Sequence, residues 1–127
     1  MNIGTAAKAS GLPTKTVRYY ADIGLVEPPS RTASGYRSYD ESAVRKLAFV
    51  RRAREFGFSI DECRGLLDLY GNSNRSSADV KRIAEARLAE IKKKQRELRR
   101  LRDELAHLVD ACAGDSRPDC PIMDRLG

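Results

Sequence analysis

Ser10-Gly11-Leu12-Pro13-Thr14-Lys15-Thr16-Val17-Arg18-Tyr19-Tyr20-Ala21-Asp22-Ile23-Gly24 contains the end of one short helix and the whole of a second. Upstream, Ala6, Ala7, Ala9 and Leu12 predict a helix that breaks at Ser10-Gly11. Pro13-Thr14-Lys15-Thr16 then has the character of a new start, with a hydroxyl for the cap and a proline near the first turn, where its missing N–H costs nothing. The second helix runs through Val17, Tyr20 and Ile23 and stops at Gly24, the residue type favoured just past a last turn. Two helices joined by a short glycine-containing turn make a helix-turn-helix. In such units the second helix lies in the major groove and turns its N-terminal side chains toward base edges and phosphates. Here those side chains are Lys15, Thr16, Arg18, Tyr19 and Tyr20. Lysine and arginine neutralise phosphate and release counterions, and arginine can also grip guanine through two hydrogen bonds.

Downstream, Leu25-Val26-Glu27-Pro28-Pro29 cannot stay helical across its prolines. Arg31-Thr32-Ala33-Ser34-Gly35-Tyr36-Arg37-Ser38-Tyr39 places a polar turn between aromatic and basic residues, which predicts a short β-hairpin. Its Arg31, Tyr36 and Arg37 would form a basic wing able to lie along a phosphate backbone. Asp40 caps a third predicted helix, Glu41 to about Phe56, whose Val44, Leu47, Ala48, Val50 and Ala53 form an apolar stripe. Arg54, near its end, joins the candidate DNA contacts. Gly57 closes this helix, and Ser59 with Glu62 forms a capping box for a fourth, through Leu66, Leu67 and Leu69.

Residues 71–76 read as a polar linker. Residues 77–111 contain neither glycine nor proline and would span about 50 Å as one helix. Ile91, Leu98, Leu101, Leu105, Leu108 and Cys112 recur at coiled-coil spacing, with Lys94 in the position the seam skips. A helix so one-sidedly apolar needs a partner, and a second copy of the chain is the simplest. Residues 112–127 loop back and end in the apolar Ile122, Met123 and Leu126.

Composition narrows the class. The 127 residues carry 24 Lys+Arg against 18 Asp+Glu, net +6; 41% are hydrophobic and 33% charged. That is too apolar for a disordered tail and too charged for a membrane protein, and no run approaches a spanning helix. Residues 1–70 have 11 basic and 8 acidic side chains, residues 71–111 have 11 and 7, and the tail has 2 and 3. No export signal is expected at Met1-Asn2-Ile3-Gly4. With an odd number of cysteines, three, the chain is expected to be cytoplasmic with reduced thiols.

Cys112 and Cys120 bracket a Gly- and Pro-containing loop with no histidine. Thiolates are soft ligands, whereas a structural zinc site wants four donors. Two sulfurs on a short loop suit a monovalent ion such as Cu(I), Ag(I) or Au(I); a disulfide or two inert thiols are the other readings. Cys63 is expected to be a half-buried spacer and His107 a surface or interfacial residue. A lone histidine without an acidic partner offers no catalytic set, so an enzyme is not expected.

Ile3-Gly4 and Ala7, Ser10-Gly11, Val17-Arg18-Tyr19-Tyr20, Gly24-Leu25, Pro28, Arg31, Gly35-Tyr36-Arg37, Tyr39 and Gly57-Phe58-Ser59 together resemble the MerR family of transcription regulators. The resemblance covers residues 1–70, and the long helix is similar to the family's antiparallel dimerisation helix. Relatives usually have a glutamate after the double tyrosine; Ala21 here forgoes one local salt bridge. Ser76-Ser77-Ala78-Asp79-Val80-Lys81 and Cys112…Gly114-Asp115…Asp119-Cys120-Pro121-Ile122 resemble the copper-efflux regulators within that family. The resemblance implies one monovalent ion per loop, held by Cys112 and Cys120, with Lys81 or linker amides offsetting the residual charge. Relatives that sense divalent ions carry a third cysteine at the position of Ser77, which makes Ser77 the expected selectivity residue. It further implies a homodimer on double-stranded promoter DNA, acting with RNA polymerase by DNA distortion, and no membrane partner. The competing expectations are a redox regulator using a Cys112–Cys120 disulfide and a divalent-metal sensor; an iron–sulfur site would need a fourth cysteine. The expected architecture is mainly α: a winged helix-turn-helix in residues 1–70, the linker 71–76, a dimerisation helix 77–111 forming an antiparallel coiled coil, and a metal-binding loop and tail in residues 112–127.

Overall fold

Asn2 caps the first helix: its side-chain oxygen accepts the Thr5 N–H at 2.8 Å, and α1 spans Ile3–Ser10 in the computed structural model, which describes residues 1–127. Gly11 ends α1 at φ +78°, and its N–H returns to the Ala7 carbonyl. A left-handed residue of this kind satisfies carbonyls that a helix end leaves free. Next, α2 spans Thr14–Asp22. The expected hydroxyl cap is corrected here, because Pro13 occupies the cap position and no side chain accepts a first-turn amide. Extended backbone at Pro13 already starts the helix, and its carbonyl accepts from Thr16 and Val17 at 3.0 and 3.1 Å, which leaves Thr14 inside the first turn.

Past Gly24 the chain doubles back, and the Leu25 and Val26 amides both donate to the Tyr20 carbonyl. A two-stranded antiparallel wing follows, β1 (Ser30–Arg31) with β2 (Arg37–Ser38), in the register Ser30 to Ser38 and Arg31 to Arg37. Gly35, at φ +84°, turns it, and the Thr32 N–H donates to the Tyr36 carbonyl at 2.7 Å. The next helix, α3, spans Glu41–Glu55, with the Asp40 carboxylate accepting the Ala43 N–H at 2.8 Å. Then α4 spans Ile60–Tyr70 behind the Ser59–Glu62 capping box, whose hydrogen bonds hold the Glu62 carboxyl below the usual range.

Ala6 and Ala7 of α1, Val17 and Tyr20 of α2, Leu47 and Val50 of α3, and Tyr39 and Phe58 form one core. Cys63 joins it with no exposed surface, which corrects the half-buried expectation: it lies on the inward face of α4, and burial pushes its thiol up. A protonated buried thiol is inert.

The last long helix, α5, spans Ser77–Ala111, and α6 spans Pro121–Leu126. The chain forms two compact units, Met1–Arg87 and Leu88–Gly127, and α5 contributes to both. In the first unit Ile83 packs against the core, and Arg87 Nε donates to the Phe56 carbonyl at 2.7 Å. In the second, α5 leaves its seam open at Leu98, Leu101 and Leu105, which are 66%, 50% and 54% exposed. No helix is long and apolar enough to cross a membrane.

The Tyr39 hydroxyl is buried without a hydrogen-bond partner. An unsatisfied buried group costs about 1–3 kcal/mol. Tyr39→Phe is therefore expected to leave the urea midpoint unchanged or raise it, whereas Leu47→Ala, at a fully buried site, is expected to cost about 2–5 kcal/mol. A clear loss of stability in Tyr39→Phe would show that the hydroxyl is paired.

Candidate functional site

Burial of Val17 and Tyr20 fixes the rotation of α2, and it turns Lys15, Arg18 and Tyr19 to solvent with Thr16 at the margin. Beside them the chain start and the wing enclose an open cleft of about 790 Å³ lined by Arg18, Arg31, Tyr36 and Arg37. Four residues expected to contact DNA therefore share one hollow. Arg31 Nη1 donates to the Gly35 carbonyl at 2.9 Å, bracing the wing from within, and Tyr36 is 72% exposed at its tip. Arg37 forms an ion pair with Asp22 and donates to the Arg18 carbonyl at 3.4 Å. Asp22 neutralises Arg37 and ties β2 to α2, while Arg18 and Arg31 have no carboxylate partner. The cleft is cationic, shaped by a helix on one side and a β-ribbon on the other, and suited to a phosphate backbone.

Two of the expected contacts are placed differently. Tyr20 is only 6% exposed; its ring belongs to the core, and burial pushes its phenol up, partly offset by the Arg54 guanidinium. Arg54 does not line the cleft: its Nη1 donates to the Phe58 carbonyl at 2.7 Å and so braces the turn between α3 and α4. Conversely, Asn2 lines the cleft as well as capping α1, and sequence reasoning does not single it out, although Asn2-Ile3-Gly4-Thr5 before an alanine run is a recognisable cap. The Asp22 partnership joins residues 15 apart and has no local signature.

In the second unit, Cys112 directly follows α5, and its N–H donates to the Leu108 carbonyl at 3.1 Å. Cys120 is the cap residue of α6, ahead of Pro121. The loop between them brings their Sγ atoms to 3.3 Å, both thiols free and half-buried. The Met123 amide, the Cys112 thiol and the Ile122 amide together lower the Cys120 thiol below its ordinary value, which favours the thiolate that binds metals. Within the loop Asp115 pairs with Arg117 at 2.7 Å, and that partner holds the Asp115 carboxyl down. Arg125 of α6 pairs with Glu104 of α5, so α6 is fastened back onto the helix that carries Cys112.

No group of three or more Cys, His, Asp or Glu side chains is gathered anywhere to hold an ion. Two soft donors alone fit an ion of low coordination number and leave a four-coordinate zinc half-served. The 3.3 Å spacing exceeds a disulfide bond of about 2.05 Å and falls short of two metal–thiolate bonds of about 2.3 Å laid in line. An ion held in line must part the sulfurs; a disulfide must draw them together. His107 is exposed and outside the pair, and in the first unit Ser77 is the exposed first residue of α5.

Residues 1–69 match the family described as MerR HTH family regulatory protein, and residues 44–108 match MerR, DNA binding. The chain is 56% identical over 126 residues to the HTH-type transcriptional regulator HmrR of Rhizobium leguminosarum bv. viciae, covering 99% of this chain and 97% of that protein. To the HTH-type transcriptional regulator CueR of Salmonella typhimurium it is 43% identical, over 99% of this chain and 91% of the other. Among solved structures, that of the transcription regulator PbrR691 from Ralstonia metallidurans CH34 in complex with lead(II) is similar at a TM-score of 0.82 and 33% identity, over 100% of this chain and 99% of that one.

The different placements of Arg18 and Tyr20 separate two effects. Arg18→Ala is expected to weaken operator binding and to reduce the slope of log K against log[salt] by about one. Tyr20→Phe is expected to leave that slope unaltered, because the ring is in the core. A salt titration in which Arg18→Ala keeps the wild-type slope would remove Arg18 from the phosphate contacts.

Proposed function

The chain belongs to the MerR family of helix-turn-helix transcription regulators, and on that footing we propose that it is a cytoplasmic, promoter-bound switch responsive to a monovalent soft metal ion, controlling a metal-efflux promoter. The observation that carries the reading is the isolated pair of thiols, 3.3 Å apart with no third ligand gathered beside them. Cu(I), Ag(I) or Au(I), one per loop, supplies a +1 charge that two thiolates saturate. Cys112 would hold it from the end of α5 and Cys120 from the start of α6, so a shared ligand ties the two elements at fixed spacing. Exposed Lys81 or the linker amides would offset the remaining negative charge. Ser77 sets selectivity by what it lacks: its hydroxyl stays protonated near neutral pH and is a poor third donor for Zn(II).

The open seam of α5 supports a homodimer built by antiparallel pairing of that helix. Each copy would present Lys15, Thr16, Arg18 and Tyr19 of α2, with Arg31, Tyr36 and Arg37 of the wing, to one half-site of promoter duplex. Activation with RNA polymerase then requires that the DNA be distorted, at a cost of a few kcal/mol. Ligand can drive this only by binding the activating conformation more tightly, which is the consequence of the sulfur spacing having to change on binding. A second reading, a redox regulator, is favoured by the same short spacing, since loss of two electrons and two protons to an oxidised thiol or peroxide would join the sulfurs.

Cys112→Ser and Cys120→Ser are each expected to abolish Cu(I)-dependent transcription while leaving metal-free operator binding intact. Transcription that responds to oxidant but not to Cu(I) under reductant would replace the metal reading with the redox one. Ser77→Cys is expected to tighten Zn(II) binding in a competitive titration under reductant; equal affinity in both proteins would deny Ser77 its selectivity role.

A further inference from the structure

Residues 92–100, Lys-Lys-Lys-Gln-Arg-Glu-Leu-Arg-Arg, hold six cations and one carboxylate, +5 out of the chain's net +6, on about 12 Å of α5. Lys92, Arg96 and Arg99 follow one another at helical spacing, with Lys93 and Arg100 alongside, on the face turned away from the apolar seam. All five are exposed. Lys92, Lys93, Arg96 and Arg99 make no ion pair, and the nearest carboxylate partner of Arg100 is Glu104, at 4.0 Å. Like charges three and four residues apart repel, costing about 0.2–0.5 kcal/mol per pair. The helix thus carries a self-repelling stripe in which only Arg100 has a carboxylate partner within the chain.

We propose that this stripe is a second, sequence-independent contact for the phosphate backbone of double-stranded DNA, separate from the cleft formed by α2 and the wing. The composition of the face selects the partner. No Phe, Tyr or Trp occurs in α5, so there is no platform for the stacked bases of a single strand. No apolar side chain interrupts the cations on that face, so it lacks the buried anchor on which a protein partner's affinity rests. A row of arginine and lysine alone matches a uniform polyanion, where each neutralised phosphate contributes by releasing a counterion. Such a contact strengthens binding to any duplex without altering which sequence is read.

The test uses the full chain and a random-sequence duplex that contains no operator. Replacing Lys92, Lys93, Arg96 and Arg99 together by Gln retains helix propensity and is expected to reduce the slope of log K against log[salt] by about 0.9 for each phosphate that is no longer neutralised. On the wild-type chain, which needs no variant to fold, the same duplex is expected to shield Lys92 and Lys93 from an amine-acetylating reagent, read by mass spectrometry. An unchanged slope, or equal acetylation with and without duplex, would overturn the proposal. So would equal shielding by polyglutamate at matched charge, which would mark the stripe as a surface for acidic proteins.

Discussion

Val17 and Tyr20, three residues apart on α2, are both withdrawn from solvent, and the rotation this imposes on a nine-residue helix decides where its own candidate DNA contacts point. Burying side chains of this size is worth about 1.5–3 kcal/mol each, a large share of a small domain's net stability. Arg18 and Tyr19 are left outward by the same geometry, and the Tyr20 carbonyl receives the Leu25 and Val26 amides that lead the chain toward the wing. Tyr39, buried at the wing's end, donates its N–H to the Met1 carbonyl and so closes the wing against the chain start. The cleft is a by-product of core packing, and its cationic character comes from what the core left outside.

The long helix works by the opposite principle. It has no buried residue of its own, yet it carries an apolar seam, a cationic face and, immediately past its end, the first thiol of the pair. The seam and the cationic face lie on opposite sides of one rod and do not compete for the same surface, while Cys112 continues the line of the seam past the helix end. Apolar pairing, phosphate attraction and soft-ligand chemistry fall off with distance in different ways, so one element can serve all three. Glu104 and Arg125 add the local fastening that keeps α6, and with it Cys120, within reach of Cys112.

Features governed by neighbours in sequence are legible without the structure. Asp40 and Ser59 cap helices because their side chains reach amides three residues on, and Gly35 turns the wing because its backbone adopts a positive φ. Five of the six helices and the hairpin follow from such rules, as does the fold class; α6 lies in a tail that reads as a loop with an apolar end. Tyr19 and Tyr20 are not separable in this way, since adjacent tyrosines on a short helix carry the same propensity and only the phase of the core distinguishes them. Arg37 has a partner 15 residues away, Asp22, that no periodicity announces, and Arg54 reaches the Phe58 carbonyl only because the turn after α3 brings it back. Cys63 reads as a spacer because its neighbours Glu62 and Arg64 are charged, yet its own face of α4 points inward. The thiol pair is legible as a motif; its 3.3 Å spacing and the amides around Cys120 are set by how the loop closes.

Everything proposed for the metal depends on two sulfurs being the whole ligand set. X-ray absorption at the copper edge, on protein loaded with one Cu(I) per chain under excess reductant, reads the number and kind of atoms bound to the ion. Two sulfur neighbours and no nitrogen or oxygen are expected. A shell of three or four ligands, or one that includes nitrogen or oxygen, would contradict it.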